Sequence, residues 1–468
     1  MPTFSRLISP QSKTDVAIRM SEVIAALSYA LDLTGGQPEG HAGRTCLLGM
    51  RIARQLQLNI EDSSALFYGL LLKDLGCSTN ASKMCYLFGA DDRTIKKASK
   101  TVDITSIGPT LGYIARNVAP GGTVFEKVSK FVHAAVGGAT GGARELIEMR
   151  CERGEKIAHD LHMPPATAQA IRALDEHWDG NGYPDGLAGD RIPLLARILN
   201  ISQTVEVFFS TYGIDAAYDM AKERSGTWFD PALVDALNAF KDDQTFWALF
   251  LNNDPKQAVT DFEPFDRTLV ADNATLDRIA YGFAQVIDAK SPWTFQHSEG
   301  VSRISTGLAE TIGLSPEQIR DVRRAGLLHD IGKLGVSNKI LDKPGKLDAE
   351  EMATMRKHTA FTYHILQQVA GFRDLSSMAA AHHERLDGKG YHRGFSAEQL
   401  STSDRILAVA DMFEALTAKR PYREDLTGEQ VMDILTRNTL SGGICPTIFD
   451  VLKIYLKNGG YSPAQIAA

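Results

Sequence analysis

The sequence predicts an all-α protein built from two tandem copies of one helical domain. Three observations carry that expectation. Apolar residues recur at helical spacing, helix start and stop signals are frequent, and the chain matches itself at two constant shifts. No sustained polar–apolar alternation argues for a sheet. At 468 residues, 44% of them apolar, the chain also exceeds what one ordinary core accommodates, so more than one domain is expected.

The self-match is specific. LLHDIG (Leu327 to Gly332) repeats LLKDLG (Leu71 to Gly76) at a shift of 256 residues (329 − 73 = 256). The same shift lays His297 on His41, and Ile304, Leu308 and Ile312 on Leu48, Ile52 and Leu56. Those apolar positions mark the buried face of one equivalent helix in each copy. Further on, HHERLDGKGYH (His382 to His392) matches LDEHWDGNGYP (Leu174 to Pro184) at a shift of 208 (387 − 179 = 208), and RILAVAD (Arg405 to Asp411) falls on RILNISQ (Arg197 to Gln203). Two shifts differing by 48 imply an insertion in the first copy, placed at about residues 78–149. Its glycine-rich stretch, Ala134 to Arg144, reads as flexible.

Local signals agree. Ser315-Pro316-Glu317-Gln318 reads as a capping box with proline at the first helical position, and Asp348 with Glu351 as a second helix start. Gly332 and Gly335 are expected to close the helix that carries His329. The polar stretch Asn252 to Thr268 reads as the linker, which divides the chain into domains 1–260 and 261–468.

Composition excludes several classes. No apolar run is long enough for a membrane span, and the N-terminus lacks a signal-peptide core. A net charge of −7 implies no general surface for polymeric nucleic acid. Five dispersed cysteines suit free thiols in a reducing cytoplasm.

Seven of the twelve histidines lie between His297 and His392. The informative series is His297, His329-Asp330, His358, His382-His383 and Asp411. A lone helical histidine is more often packed or solvated than a ligand. Two doublets inside glycine-stopped motifs reverse those odds. Imidazole and carboxylate suit divalent transition metals such as Fe, Mn, Ni or Zn, and a shared carboxylate bridges two of them. The first copy is an internal control: His41, Lys73-Asp74, Arg150, Leu174-Asp175 and Gln203 stand at the matching positions. The scaffold residues persist while the ligand types change, so the histidines are not there for folding.

HSEGVSRIS, LLHDIGKLGV, MRKHT, HHERLDGKGY and ILAVADMFEALTAKRPYR together resemble the HD-GYP family of metal-dependent phosphohydrolases. The likeness spans about Asp288 to Arg423, with a degenerate copy from about Leu31 to Phe240. It implies hydrolysis of a cyclic dinucleotide, cyclic di-GMP or 3′,3′-cyclic GMP-AMP, to a linear dinucleotide, with iron or manganese as cofactor. By matching motif, His297, His329, Asp330 and Asp411 would hold one ion. Asp330 would bridge to a second held by His358, His382 and His383. Lys333 would touch the scissile phosphate. Arg420 and Arg423 would clamp the phosphates, and Tyr391 of the GYP-like turn would contact substrate.

Two departures stand out. His392 replaces the motif proline, which implies a looser or differently shaped loop. Trp293 stands where trinuclear members carry a glutamate, so two ions are expected rather than three. His364, six residues after His358, points elsewhere on its helix and reads as surface. A non-hydrolysing cyclic-dinucleotide sensor is the alternative from a different class. The first copy is expected to be catalytically silent, with a structural, dimerising or regulatory role.

Overall fold

The computed structural model describes residues 18–460, apart from 104, 140–141, 252–258, 260, 265–269, 293, 295 and 419–425. Helices dominate. The strands among the described residues are Ile18–Arg19 and Val270–Ala271, paired antiparallel with Ile18 opposite Ala271. That small ribbon ties the start of the first copy to the start of the second. The expected linker lies largely outside the described residues. No described helix is long and apolar enough to cross a membrane.

The duplication is visible element by element. Helix His41–Gln55 corresponds to His297–Ile312, and Ile60–Leu72 to Pro316–Leu328, both at the 256 shift. Helix Leu194–Tyr212 corresponds to Thr402–Thr417 at the 208 shift. The repeated apolar positions do what their spacing implies: Leu48, Ile52, Ile304 and Leu308 are fully buried, while Leu56 and Ile312 pack at the margin. Each such burial removes enough apolar surface from water to contribute about 1.5–3 kcal/mol. Their cluster runs continuously through both copies.

Both capping boxes form as the sequence implies, Ser315 with Gln318 and Asp348 with Glu351. The helix before His329 ends differently from expectation. It stops at Leu328, His329 is its C-cap, and Ile331–Gly335 continues as a 3-10 turn. Gly332 is there for close approach: a Cβ at that position would collide with the carbonyl of His358. Gly76 faces the carbonyl of Arg150 in the same way, which confirms Arg150 as the counterpart of His358.

The insertion is helical, and the stretch from Ala134 that reads as flexible is helix as far as Ala139, with Thr140 and Gly141 outside the described residues. The insertion forms Ala81–Phe88, Asp92–Ser99, Ile107–Asn117 and Val124–Ala139, then runs into Gly142–Asp160. Ala134, Ala135 and Val136 sustain the helix that runs to Ala139. Its apolar face closes a second small core of Met84, Phe88, Ile95, Tyr113, Ile114 and Ala134. The helix Asp92–Ser99 also reaches across to the second copy. Asp92 accepts the backbone N–H of Asn338 at 2.9 Å and faces the ammonium of Lys290 at 3.4 Å, while Arg93 donates to the carbonyl of Gly335 at 2.6 Å.

Candidate metal centre

Five elements converge on one buried point of the second copy. His297 opens helix His297–Ile312, and His329-Asp330 sits at the junction after Leu328. His358 lies inside helix Ala349–Gln367, His382-His383 follows the short helix Ser376–Ala380, and Asp411 lies on helix Thr402–Thr417.

The seven residues meet. His297 Nε2 and His329 Nε2 are 3.3 Å apart, and each faces Asp330 Oδ2, at 3.5 and 3.2 Å. Asp411 Oδ1 lies 3.3 Å from His297 Nε2. On the other side His358 Nε2 and His382 Nε2 are 3.2 Å apart, each 3.6 Å from Asp330 Oδ1. His383 Nδ1 is 3.9 Å from Asp411 Oδ2. Donor atoms of His297, His329 and Asp330 all lie within 4.8 Å of one another, as do those of His358, His382 and His383. Asp330 therefore presents one oxygen to each set.

Secondary contacts fix which ring nitrogens face inward. The Nδ1–H of His329 donates to Gly326 O at 2.8 Å, that of His358 to Met355 O at 2.7 Å, and that of His382 to Ala379 O at 2.7 Å. This tautomer leaves the Nε2 lone pairs pointing at the centre, as metal-binding imidazoles require. Burial pushes the His358 imidazole down to about 3 and lowers His382 and His383, so all three are neutral donors at physiological pH. Burial opposes the Asp330 charge, yet His329 and Lys333 beside it hold its carboxyl well below the usual range. Asp330 Oδ1 is nevertheless buried without a hydrogen-bond partner. An orphaned anionic oxygen facing two inward imidazole nitrogens is a poor arrangement for stability alone and a fitting one for a cation. The donor set thus fits divalent metal.

One contributor escaped the sequence reading. Glu414, one helical turn after Asp411, forms a short contact with His297 Nδ1 and orients that ring. Glu206 does the same for His41 at the 208 shift. Its retention in both copies was the signal available.

Lys333 Nζ lies 2.5 Å from Asp330 Oδ2, at the edge of the centre and partly exposed. The Tyr391 ring lies 4.7 Å from that of His383 and carries the Arg356 guanidinium 4.8 Å over its face. Arg420, Arg423 and Trp293 lie outside the described residues. His392 adopts φ 56°, a left-handed conformation that proline's ring forbids, so the GYP-like loop has its own shape. It is not loose. Buried Glu384 accepts the backbone N–H of Arg393 at 2.9 Å and of Phe395 at 3.0 Å, as Glu176 accepts those of Asp185 and Leu187 in the first copy. His364 is exposed, as expected.

The matching point in the first copy is filled by the chain's own cations. The Lys73 ammonium sits 3.0 Å from His41 Nε2 and pairs with Asp74. Lys100, from the insertion, donates to Gln203 Oε1 at 2.9 Å, and Arg150 pairs with Asp175.

A family model described as HD domain matches residues 131–233 and 283–447. The chain is 41% identical over 434 residues to 3′3′-cGAMP-specific phosphodiesterase 3 of Vibrio cholerae, covering 93% of this chain and 94% of that one. It is 30% identical over 320 residues to 3′3′-cGAMP-specific phosphodiesterase 1 of the same organism, covering 65% and 73%. A crystal structure of a cyclic GMP-AMP specific phosphodiesterase from V. cholerae superimposes with a TM-score of 0.64 at 36% identity, over 94% of this chain and 98% of that one.

Proposed function

This chain belongs to the HD-GYP family of cyclic dinucleotide phosphodiesterases, and on that premise we propose that 3′,3′-cyclic GMP-AMP is its preferred substrate. The likeness to V. cholerae relatives named for that dinucleotide, along nearly the whole chain, supports the preference. The observation that carries hydrolysis is the placement of Asp330 between two complete sets of inward imidazoles. The complete donor set weighs against the non-hydrolysing sensor.

In this reading His297, His329, Asp330 and Asp411 would hold one divalent ion and His358, His382 and His383 the other, with Asp330 offering an oxygen to each set. Iron or manganese suits this nitrogen-rich, sulfur-free set. When bound, the pair supplies Lewis acidity to the phosphodiester and to the water that attacks it. The chain's own groups do the rest. Lys333 would place its ammonium against a phosphate oxygen, the basic residues Arg420 and Arg423 would clamp the phosphates, and Tyr391 would contact substrate. Backbone carbonyls keep His329, His358 and His382 aimed, and Glu414 does so for His297. His383, the most exposed of the ligands, marks the side from which substrate enters.

We assign residues 1–260 to a silent partner domain and 261–468 to catalysis, in the cytoplasm, where the free cysteines are at home. Val124, Phe125, Val128 and Val132 form an exposed apolar stripe on one insertion helix, which supports a homodimer through the first copy. Metal-loaded protein incubated separately with 3′,3′-cyclic GMP-AMP and cyclic di-GMP tests the substrate. A linear dinucleotide should form faster from the mixed substrate; equal or faster opening of cyclic di-GMP would refute the preference.

A further inference from the structure

The first copy holds a cavity of about 350 Å³ between its cation-filled centre and the insertion helices. This is within the size range of small-molecule sites. Its floor includes Arg150, Asp175 and Gln203, the counterparts of His358, His383 and Asp411, together with Lys100. Its roof is the insertion's apolar face, with Met84, Phe88, Tyr113, Ile114, Ala134 and Leu146.

We propose that this cavity is a binding site for an amphiphilic carboxylate of the medium-chain fatty-acid class, with its head on Lys100 and Arg150 and its acyl chain under the insertion helices. Two observations carry the assignment. The first is charge. Three cations, Lys73, Lys100 and Arg150, are buried around the floor; Lys73 pairs with Asp74 and Arg150 with Asp175, while Lys100 stands 4.0 Å from the already paired Asp74 and donates to the neutral Gln203. Burial and the neighbouring Arg150 guanidinium lower Lys100 to about 8, the response of an ammonium short of counter-charge. A bound anion supplies it.

The second observation is the wall. Several of its polar side chains are already committed within the chain. Asn200 donates to Glu176 O at 2.9 Å, Thr204 to Asn200 O at 2.9 Å, Ser99 to Lys96 O at 2.8 Å and Thr105 to Asp103 at 2.6 Å. Against the apolar roof of Met84, Phe88 and Ile114 a purine's ring acceptors would meet no donor, at a cost per buried group. A methylene chain loses nothing there and gains contact with Met84, Phe88 and Ile114. The insertion that distinguishes this copy thus converts a site matching the catalytic one into a roofed pocket of different chemistry.

Calorimetric titration of the full-length protein with decanoate, and separately with AMP, GMP and inorganic phosphate, tests the assignment. Decanoate should bind saturably at one equivalent per chain. Lys100→Gln should weaken it at least tenfold, as should Ala134→Trp, which fills the acyl space. Both variants should keep the metal content and turnover of the second copy, which shows that they are folded. Failure of decanoate to bind, or binding unchanged in Lys100→Gln, overturns the proposal. AMP or GMP binding without decanoate also overturns it, and phosphate matching decanoate in affinity removes the acyl part.

Discussion

At the heart of each copy an aspartate is buried beside a histidine whose outer nitrogen is gripped by a glutamate: Asp74, His41 and Glu206 in one, Asp330, His297 and Glu414 in the other. The first copy satisfies its aspartate with the ammonium of Lys73, the residue immediately before it. The second places His329 there and leaves Asp330 Oδ1 without a partner. Around the first, Arg150 and Lys100 add charge; around the second, imidazoles add nitrogen donors. One scaffold therefore supports either a cation-filled interior or an anionic cradle, and the choice rests on a few side chains that the helices merely carry.

The comparison can be broken most severely at its centre. Asp330→Ala should lower the turnover of cyclic GMP-AMP by about a thousandfold or more, since metal catalysis supplies several kcal/mol of charge stabilisation. Metal analysis of that variant should approach zero; two retained ions would end the bridging assignment.

His329→Lys transplants the first copy's solution. Asp330 already stands where Asp74 pairs with Lys73, so the variant should stay folded, with a melting temperature near that of the parent, while losing at least one ion and nearly all activity. A collapse in melting temperature would show that the two scaffolds differ more than their matched helices indicate.

A smaller loss belongs to Glu414→Gln, which keeps the shape but weakens the grip on His297. A loss of about 10–100-fold in metal affinity is expected, the range for groups that orient a ligand. Competitive chelator titration reads it directly. Smallest in metal content is Lys333→Ala. It should retain both ions and slow turnover by about 100-fold, as for loss of one charge-stabilising contact. Loss of metal in that variant would move Lys333 from the substrate to the cradle.

Much of this was legible in the sequence, for physical reasons. Ligand residues announce themselves because histidine doublets have few structural uses, and the first copy supplied a control for each. Helix starts were legible because capping is local, as Ser315 and Asp348 show. Glu414 was hidden because a glutamate on an amphipathic helix is usually solvated; only its persistence as Glu206 separates it from that background. The stretch from Ala134 to Ala139 was misread because glycines inside AAVGGA suggested flexibility, while Ala134 packs into one small core with Phe88 and Tyr113 and the helix continues. The contact between Asp92 and Lys290 spans 198 residues of sequence, and no local pattern encodes it.

That contact has a consequence for the gene rather than for the reaction. Asp92 belongs to the segment that only the first copy possesses, and its counter-ion, Lys290, is almost wholly buried in the second. A descendant that lost the first copy would leave Lys290 without the carboxylate that faces it and would uncover surface now packed against the insertion. The second copy is thereby expected to lean on the first for stability even though all seven of its candidate ligands are its own.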